Sequence, residues 1–218
     1  MKPEFRCAET CLADDGCVGF LHNNSQSSCS LFGCFNPEEE ASIPDGGSQA
    51  YVMIADHLLA RGKNVSMSSV YLDDSGSQAE ATFHGGAFAV DGIYEPPADN
   101  EIFSLANSLR ESKPWLRVNL QKVHCIWAVR ILNRVHAPWP GIVARLRDLI
   151  ITAAIWEDDI LYHVNPDSLC GQHDGKVEQA YLTVTCLRPM RARFVQIQIN
   201  DTEILNIYEL EVHGFKRL

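Results

Sequence analysis

The cysteines restrict the fold of this chain more than any other feature. Five of the eight lie between Cys7 and Cys34, with the spacing Cys7-x3-Cys11-x5-Cys17-x11-Cys29-x4-Cys34. Such density in a short segment predicts a disulfide framework, and therefore an oxidising compartment. The spacings Cys-x3-Cys and Cys-x4-Cys also fit zinc fingers, so a zinc site is the rival interpretation, although it would leave Cys17 unused.

Glycosylation triplets favour an extracellular setting. Asn-x-Ser/Thr sequences begin at Asn23, Asn64 and Asn200, and such triplets accept N-linked glycans in secreted proteins. The stretch Met1–Arg6 contains no apolar run of the kind that a signal peptide needs. We therefore expect a secreted glycoprotein, or an ectodomain, whose signal sequence is not in this chain.

Length and charge limit the class of protein. The chain has 218 residues and a mass of 24.3 kDa, which fits one large or two modest domains. Its net charge of −10 and pI near 5.2 argue against a nucleic-acid partner. No stretch approaches the ~18 unbroken apolar residues of a membrane helix, so we expect no membrane span.

The apolar pattern divides the chain into three parts. Residues 1–54 are predicted to form a helix carrying Cys7 and Cys11, followed by short strands. Residues 55–63 are interpreted as a linker. Residues 64–218 contain short apolar segments separated by breaks rich in Gly, Pro and Asp; among them are Leu116–Leu120, Val129–Leu132 and Val195–Ile199. Segments of period two at this spacing predict an antiparallel sandwich or barrel.

The cysteine-rich part resembles a PAN/apple module. The match lies in the helix with Cys7 and Cys11, in Cys17-Val18-Gly19-Phe20 and in Ser28-Cys29-Ser30-Leu31. In that family, nested bridges tie the helix to the strands. The resemblance therefore implies the pairs Cys7–Cys29 and Cys11–Cys17 in a truncated module, because the family's first strand would precede Met1.

The string Ser104–Leu120 resembles the F-type lectin (fucolectin) domain. Four other segments agree in the family's order: Asn64–Ser66, Ala89–Gly92, Ile131–Arg134 and Tyr208–Gly214. The resemblance implies a β-jelly-roll sandwich of the discoidin-like superfamily, preceded by the small disulfide-rich α+β module. It also implies a bridge between Cys170 and Cys186.

Two further pairs of positions concern disulfides. The family's bridge between its calcium loop and its last strand would fall at Leu105 and Tyr208, and here both cysteines are missing together. Cys34 and Cys125 then remain. Either they pair and join the two parts of the chain, or Cys125 is a buried free thiol.

The resemblance implies a structural Ca²⁺ site between the loop 91–107 and the last strand. Its side-chain ligands would be Asp91, Ser104 and Glu209, and its backbone carbonyls would come from Phe88, Ile93 and Tyr208. Carboxylate and carbonyl oxygens are the ligands that Ca²⁺ prefers. From the residues alone, Asp91 would cap a turn and Glu209 would be an exposed strand charge.

The resemblance also implies a sugar site. F-type lectins hold fucose with one His and two Arg, beside a bridge between adjacent cysteines. Arg134 and Arg145 match the two Arg at a wider separation, and Asn107 stands at the His position. The adjacent cysteines are absent, and His136 or Trp139 would have to replace them as hydrogen-bonding or stacking partners.

These features predict a non-enzymatic recognition protein that binds fucosylated or related glycans with the support of calcium. Single sites of this kind are weak, so the function would depend on a homo-oligomer or on tandem copies. One alternative is an adhesion or assembly module that binds protein and has lost sugar recognition. Another is a carbohydrate-binding domain cut from a longer enzyme. No His-Glu-x-x-His or Gly-x-Ser-x-Gly motif indicates catalysis.

Overall fold

The computed structural model describes residues 3–14, 17–23, 26–34, 48–52, 55–56, 58–71, 85–94, 105–135, 141–161 and 166–215. The helices of these residues are α1 (Pro3–Ala13), α2 (Asp158–Leu161) and three short 3₁₀ helices, Gly86–Val90, Val143–Arg145 and Pro166–Ser168. The strands are β1 (Gly19–Asn23), β2 (Ser28–Phe32), β3 (Ser48–Val52), β4 (Ala55–Asp56), β5 (Asn64–Met67), β6 (Ala106–Asn107), β7 (Glu111–Ser112), β8 (Trp115–Asn133), β9 (Arg147–Ala154), β10 (Leu169–Lys176), β11 (Tyr181–Ile199), β12 (Thr202–Glu203) and β13 (Asn206–Phe215).

The N-terminal part consists of α1 and a three-stranded antiparallel sheet in the order β2-β1-β3. Cys7 and Cys11 lie one turn apart on α1, so both can face the sheet. Cys7 is bonded to Cys29, and Cys11 is bonded to Cys17. The buried ring of Phe20 completes this small core. Disulfides compensate for a core too small to hold such a unit by itself.

The large sheet is organised around two long strands, β8 and β11, of 19 residues each. The first half of β8 pairs with β5 and with the second half of β11. The second half of β8 pairs with β13 and with the first half of β11. Register shifts interrupt the β8–β11 pairing at two places, and such irregularities bend strands. Both strands therefore contribute to both layers of the sandwich.

The main core lies between these layers. Its buried side chains alternate along the strands, as the period-two pattern predicts; examples are Leu116, Val118, Leu120, Val195, Ile197 and Ile199. The antiparallel, mainly β sandwich predicted for this part is confirmed.

A disulfide and an apolar cluster attach the N-terminal part to the sandwich. Cys34 is bonded to Cys125 on β8. Next to this bond, Val18 packs in one buried cluster with Trp127 and Phe215, whose ring centroids are 4.8 Å apart. The contact is therefore both covalent and hydrophobic.

The segment 55–63, expected to be a linker, contributes to the sandwich. Its strand β4 pairs with the end of β13, and Leu59 and Ala60 are buried in the main core. Apolar side chains at these two positions gain free energy by leaving water, so the packing of the sandwich begins before Asn64.

All four disulfides of the structure are intramolecular, and the fourth joins Cys170 to Cys186. No cysteine is free. The free-thiol alternative for Cys125 is therefore wrong, and no cysteine is left to bind zinc. Within the described residues, no helix is long and apolar enough to cross a membrane.

Candidate functional site

A buried carboxylate lies near the start of β13. Glu209 is 2% exposed, and both of its carboxylate oxygens accept the backbone N–H of Gly92, at 3.2 and 3.1 Å. The φ angle of Gly92 is +83°, a conformation that suits glycine. The preceding residue, Asp91, accepts the backbone N–H of Ile93 at 2.8 Å. The chain thus turns sharply after the 3₁₀ helix Gly86–Val90 and meets β13.

The carboxylate of Asp91 in this turn lies close to that of Glu209 on β13. Burial raises the pKa of Glu209 from its usual value near 4.5 to about 8; the Gly92 N–H opposes this shift, whereas the carboxylates of Asp91 and Glu211 add to it. A buried carboxylate beside a second acid is costly to ionise unless a cation joins the two. The pair Asp91 and Glu209 therefore has the charge and the donor type of a calcium site.

The other predicted calcium ligands are only partly visible. Ser104 lies outside the described residues. Phe88 lies within the 3₁₀ helix, Ile93 follows the turn, and Tyr208 precedes Glu209, so each is near one of the two carboxylates in the chain. The described residues include no cluster of three or more His, Cys, Asp or Glu side chains arranged to hold a metal ion. A cation here would need backbone carbonyls or Ser104 in addition to the two carboxylates.

Glu211, the next acid along β13, has partners of its own. Its Oε2 atom accepts His213 Nε2 at 2.9 Å and lies 3.7 Å from Arg130 Nη1. The Tyr94 hydroxyl also hydrogen-bonds to Glu211, and burial together with that bond raises the pKa of Tyr94 to about 12. Sequence analysis did not find this group, because its members come from three distant segments.

The two predicted sugar-binding arginines come together at the far end of β8. Arg134 follows this strand and is 8% exposed. Burial lowers the pKa of Arg134, and the nearby positive charge of Arg145 lowers it further. The charge of Arg145 is therefore near enough to act on Arg134.

Asn133 explains how the chain brings the arginines together. This buried residue ends β8, and its Nδ2 atom donates to the carbonyls of Val143 at 3.2 Å and Val177 at 2.8 Å. The first bond anchors the 3₁₀ helix that carries Arg145 beside the residue that precedes Arg134. The position of Asn133 at the end of a predicted strand, just before Arg134, is the sequence signal that could have indicated this role.

Asn107 lies on the outer side of the same end of the sandwich. It faces Asn206 across the β6–β13 pair. Asn107 is 5% exposed and Asn206 is fully buried. Neither the Asn107 Oδ1 atom nor the side-chain amide of Asn206 has a hydrogen-bond partner among the residues that the structure describes. His136 and Trp139 lie outside those residues.

The fold is shared with known carbohydrate-binding proteins. A fucolectin from striped bass (Morone saxatilis) serum superposes with a TM-score of 0.60 and 17% identity, over 93% of this chain and 73% of that one. The lectin domain of lectinolysin, complexed with Lewis B antigen, gives 0.53 and 23% over 71% and 94% of the two chains. The fucose-binding module SpX-3 of Streptococcus pneumoniae gives 0.53 and 19% over 72% and 98%.

This chain has the fold of F-type lectins and discoidin-like carbohydrate-binding modules. At these identities the likeness establishes the fold alone. No family model and no curated protein matches the sequence. The shared fold confirms the fold class predicted for residues 64–218. The ligand has to be argued from the side chains.

A cavity of about 170 Å³ on another part of the sandwich is also polar. Its main charge is Arg117, which is buried, donates to Gln196 Oε1 at 2.7 Å and 3.1 Å, and donates to Glu157 Oε1 at 2.7 Å. This guanidinium also lies 4.5 Å from the centre of the Trp115 ring. Its hydrogen bonds are directed to the protein itself, so Arg117 is a structural residue.

Proposed function

We propose that this chain is an extracellular, non-enzymatic lectin that binds fucosylated or related glycans. The observation that supports this most directly is the Asn133 hydrogen bond that anchors the 3₁₀ helix of Arg145 next to Arg134, in a sandwich whose fold is that of known fucose-binding modules. In this proposal the two guanidinium groups form the sugar site. Asn107 lies at its edge, and His136 and Trp139 are further candidate contacts.

The chemistry of the pair suits a sugar. A guanidinium group presents several N–H donors in a rigid plane and stays charged at every relevant pH, so it can donate to vicinal hydroxyl groups. A hydrogen bond to a charged group contributes about 1.5–3 kcal/mol, and a millimolar dissociation constant needs only about 4 kcal/mol. Two arginines therefore suffice for weak binding. Useful avidity would then come from a homo-oligomer or from tandem copies.

Calcium has a structural role in this proposal. When bound, it would neutralise the two carboxylates of Asp91 and Glu209 and would cross-link the turn after the 3₁₀ helix to β13. Ser104 and the carbonyls of Phe88, Ile93 and Tyr208 are the further oxygen donors. The buried carboxylate of Glu209 next to the carboxylate of Asp91 is the feature that supports this assignment.

The N-terminal part is proposed to be a PAN/apple-like module. The helix tied to a small sheet by two nested disulfides supports this proposal. In the same proposal the three glycosylation triplets are used in a secreted protein. Asn64 and Asn200 are exposed, so their side chains are accessible to modification.

The second candidate is an adhesion or assembly module that binds protein. The burial of Asn107 favours it, because an amide that is 5% exposed cannot offer a sugar the contact that the family's His provides. In that case the arginine pair would be a remnant of an inherited scaffold.

A glycan array on the oxidised protein separates the two candidates. It should be run with calcium and with a chelator, on the wild type, on Arg134→Ala and on Arg188→Ala. Arg188 is a matched control because it is exposed and pairs with Asp167, away from the arginine pair. The lectin proposal expects a calcium-supported fucoside signal that only Arg134→Ala loses. A folded, calcium-loaded protein without any glycan signal would refute it and leave the protein-binding module.

A further inference from the structure

One glycosylation triplet lies at the cavity of about 170 Å³ that also contains Arg117. Asn64 begins β5 and pairs in register with Asn119 of β8, and Ser66 pairs with Arg117. Register partners share one face of a sheet, and all four of these residues line the cavity. Asn64 and Ser66 are exposed. A glycan on Asn64 would therefore be attached at the cavity itself.

Another wall of the cavity belongs to the segment 155–161. Glu157 lines the cavity, and its Oε1 atom accepts Arg117 Nη1 at 2.7 Å. Because the Glu157 side chain is 48% exposed, water weakens this ion pair. Further along the segment, Ile160 packs in a small buried cluster with Phe194, which also lines the cavity. A weak ion pair and a small apolar cluster hold this segment on the sheet, and such contacts permit local opening.

The cavity offers a sugar ring both apolar and polar contacts. Phe194 supplies an apolar surface, and the second carboxylate oxygen of Glu157 is an acceptor for a hydroxyl group. Asn119 Oδ1 already accepts the Gln121 N–H at 2.8 Å and Arg193 Nε at 3.2 Å, so this amide can serve a ligand only through its nitrogen. Sites for free ligands measure about 300–1,000 Å³. This smaller cavity suits part of a single sugar ring that is already attached beside it.

A covalent tether makes such a contact effective. A short flexible link gives the attached group an effective concentration in the millimolar range. A contact whose dissociation constant equals that concentration is formed half of the time, and a tighter one is formed more often. Attachment at Asn64 therefore allows a cavity too small for a free ligand to hold the sugar next to it.

We propose that the N-glycan on Asn64 places its first N-acetylglucosamine in this cavity and holds the segment 155–161 on the sheet. The inference rests on the part of the proposed function that makes this chain a secreted glycoprotein, and it does not involve the arginine pair. The sugar then contacts β5, where it is attached, and Glu157 of the segment. Asn200 is also exposed but does not line this cavity, so a glycan there has no such effect.

The test uses protein secreted from cells that make only high-mannose glycans, with the occupancy of each triplet read by peptide mass spectrometry. Hydrogen exchange of the segment 155–161 is compared among the wild type, the wild type trimmed by an endoglycosidase that leaves the first N-acetylglucosamine, and Asn64→Gln. We expect the segment to exchange about two- to tenfold faster in Asn64→Gln, as an effective concentration of one to ten times the dissociation constant implies. The trimmed protein should exchange like the wild type.

Two variants control for the substitution itself. Ser66→Ala should repeat the effect of Asn64→Gln, because it removes the acceptor triplet and keeps Asn64. Asn200→Gln should leave the exchange of the segment unchanged.

Equal exchange in the wild type and in Asn64→Gln, with a glycan found on wild-type Asn64, would overturn the proposal. So would an equal acceleration in Asn200→Gln. A glycan on Asn200 but none on Asn64 would refute this inference alone. If no triplet carried a glycan, the glycoprotein part of the proposed function would fail with it, whereas the glycan array still decides the lectin part.

Discussion

Replacing Glu209 by Gln tests the carboxylate pair through the stability of the calcium-free protein. In the folded state Glu209 keeps its proton up to a pKa of about 8, whereas in the unfolded chain it releases it near 4.5. Between these values the folded state binds more protons than the unfolded state, so the free energy of unfolding falls as pH rises. Above about pH 8 the loss is complete.

The size of the effect follows from the same values. Each pKa unit corresponds to about 1.36 kcal/mol, so the shift of Glu209 costs roughly 5 kcal/mol when the carboxylate is ionised. Glutamine removes the charge but still buries an amide, at a cost of about 1–3 kcal/mol. We therefore expect Glu209→Gln to be more stable than the wild type by about 2–4 kcal/mol near pH 9 in chelator.

The assay is urea unfolding near pH 5 and near pH 9, with chelator or with millimolar calcium. Calcium should stabilise the wild type near pH 9 and leave Glu209→Gln unchanged, because the variant lacks one of the two anionic ligands. Glu211→Gln is the matched contrast on the same strand. It should be destabilised, since the oxygen that faces Arg130 and His213 would lose its negative charge.

Two results would refute this reasoning. If Glu209→Gln were less stable than the wild type near pH 9 in chelator, the buried carboxylate would not be the source of strain. If calcium stabilised both proteins equally, the cation would bind elsewhere. Either outcome would remove the calcium site from the proposed function while leaving the arginine pair untouched.

Three other changes test the packing around the site. Replacing both Cys34 and Cys125 by Ser opens a loop with a sequence separation of 91. In reversible denaturation, the free energy of unfolding should fall by up to about 4–5 kcal/mol. An unchanged unfolding midpoint would mean that the apolar contact alone holds the N-terminal part to the sandwich. Gly92→Ala places a Cβ on a residue with a φ of +83°, 2.6 Å from the Arg61 Cζ atom. Calorimetry should therefore show a free energy of unfolding lower by about 1–2 kcal/mol, and titration should show weaker calcium binding. Gly214→Ala would push a methyl group into the Cys125 carbonyl, and we expect about 3 kcal/mol of destabilisation in urea, which an unchanged unfolding midpoint would contradict.

Local patterns predicted the strand segments better than their extent. Leu116–Leu120 and Val129–Leu132 read as separate segments, yet both belong to the single strand β8. Alternation of apolar residues reports one-sided burial over a few positions. It does not report that a strand crosses from one layer to the other, because there the buried side changes and the alternation breaks down while the backbone hydrogen bonds continue.

The linker interpretation of residues 55–63 shows the same limit. The segment has no long apolar run, but Leu59 and Ala60 are buried and β4 pairs with the end of β13. Two apolar residues are too few to stand out in a sequence pattern. The strand that holds this segment in place, β13, lies about 150 residues further along the chain.

What the sequence determined by itself is the inventory: cysteines in numbers that pair completely, period-two strands, and acids and arginines at the positions of a lectin-like motif. The tertiary structure decided how those residues act. It anchored the 3₁₀ helix of Arg145 next to Arg134 through a bond of Asn133, buried Glu209 beside Asp91, and placed Asn64 at a cavity that Glu157 also lines. Electrostatic cost and side-chain direction depend on distances through space and on strand register, and neither is written in residue order.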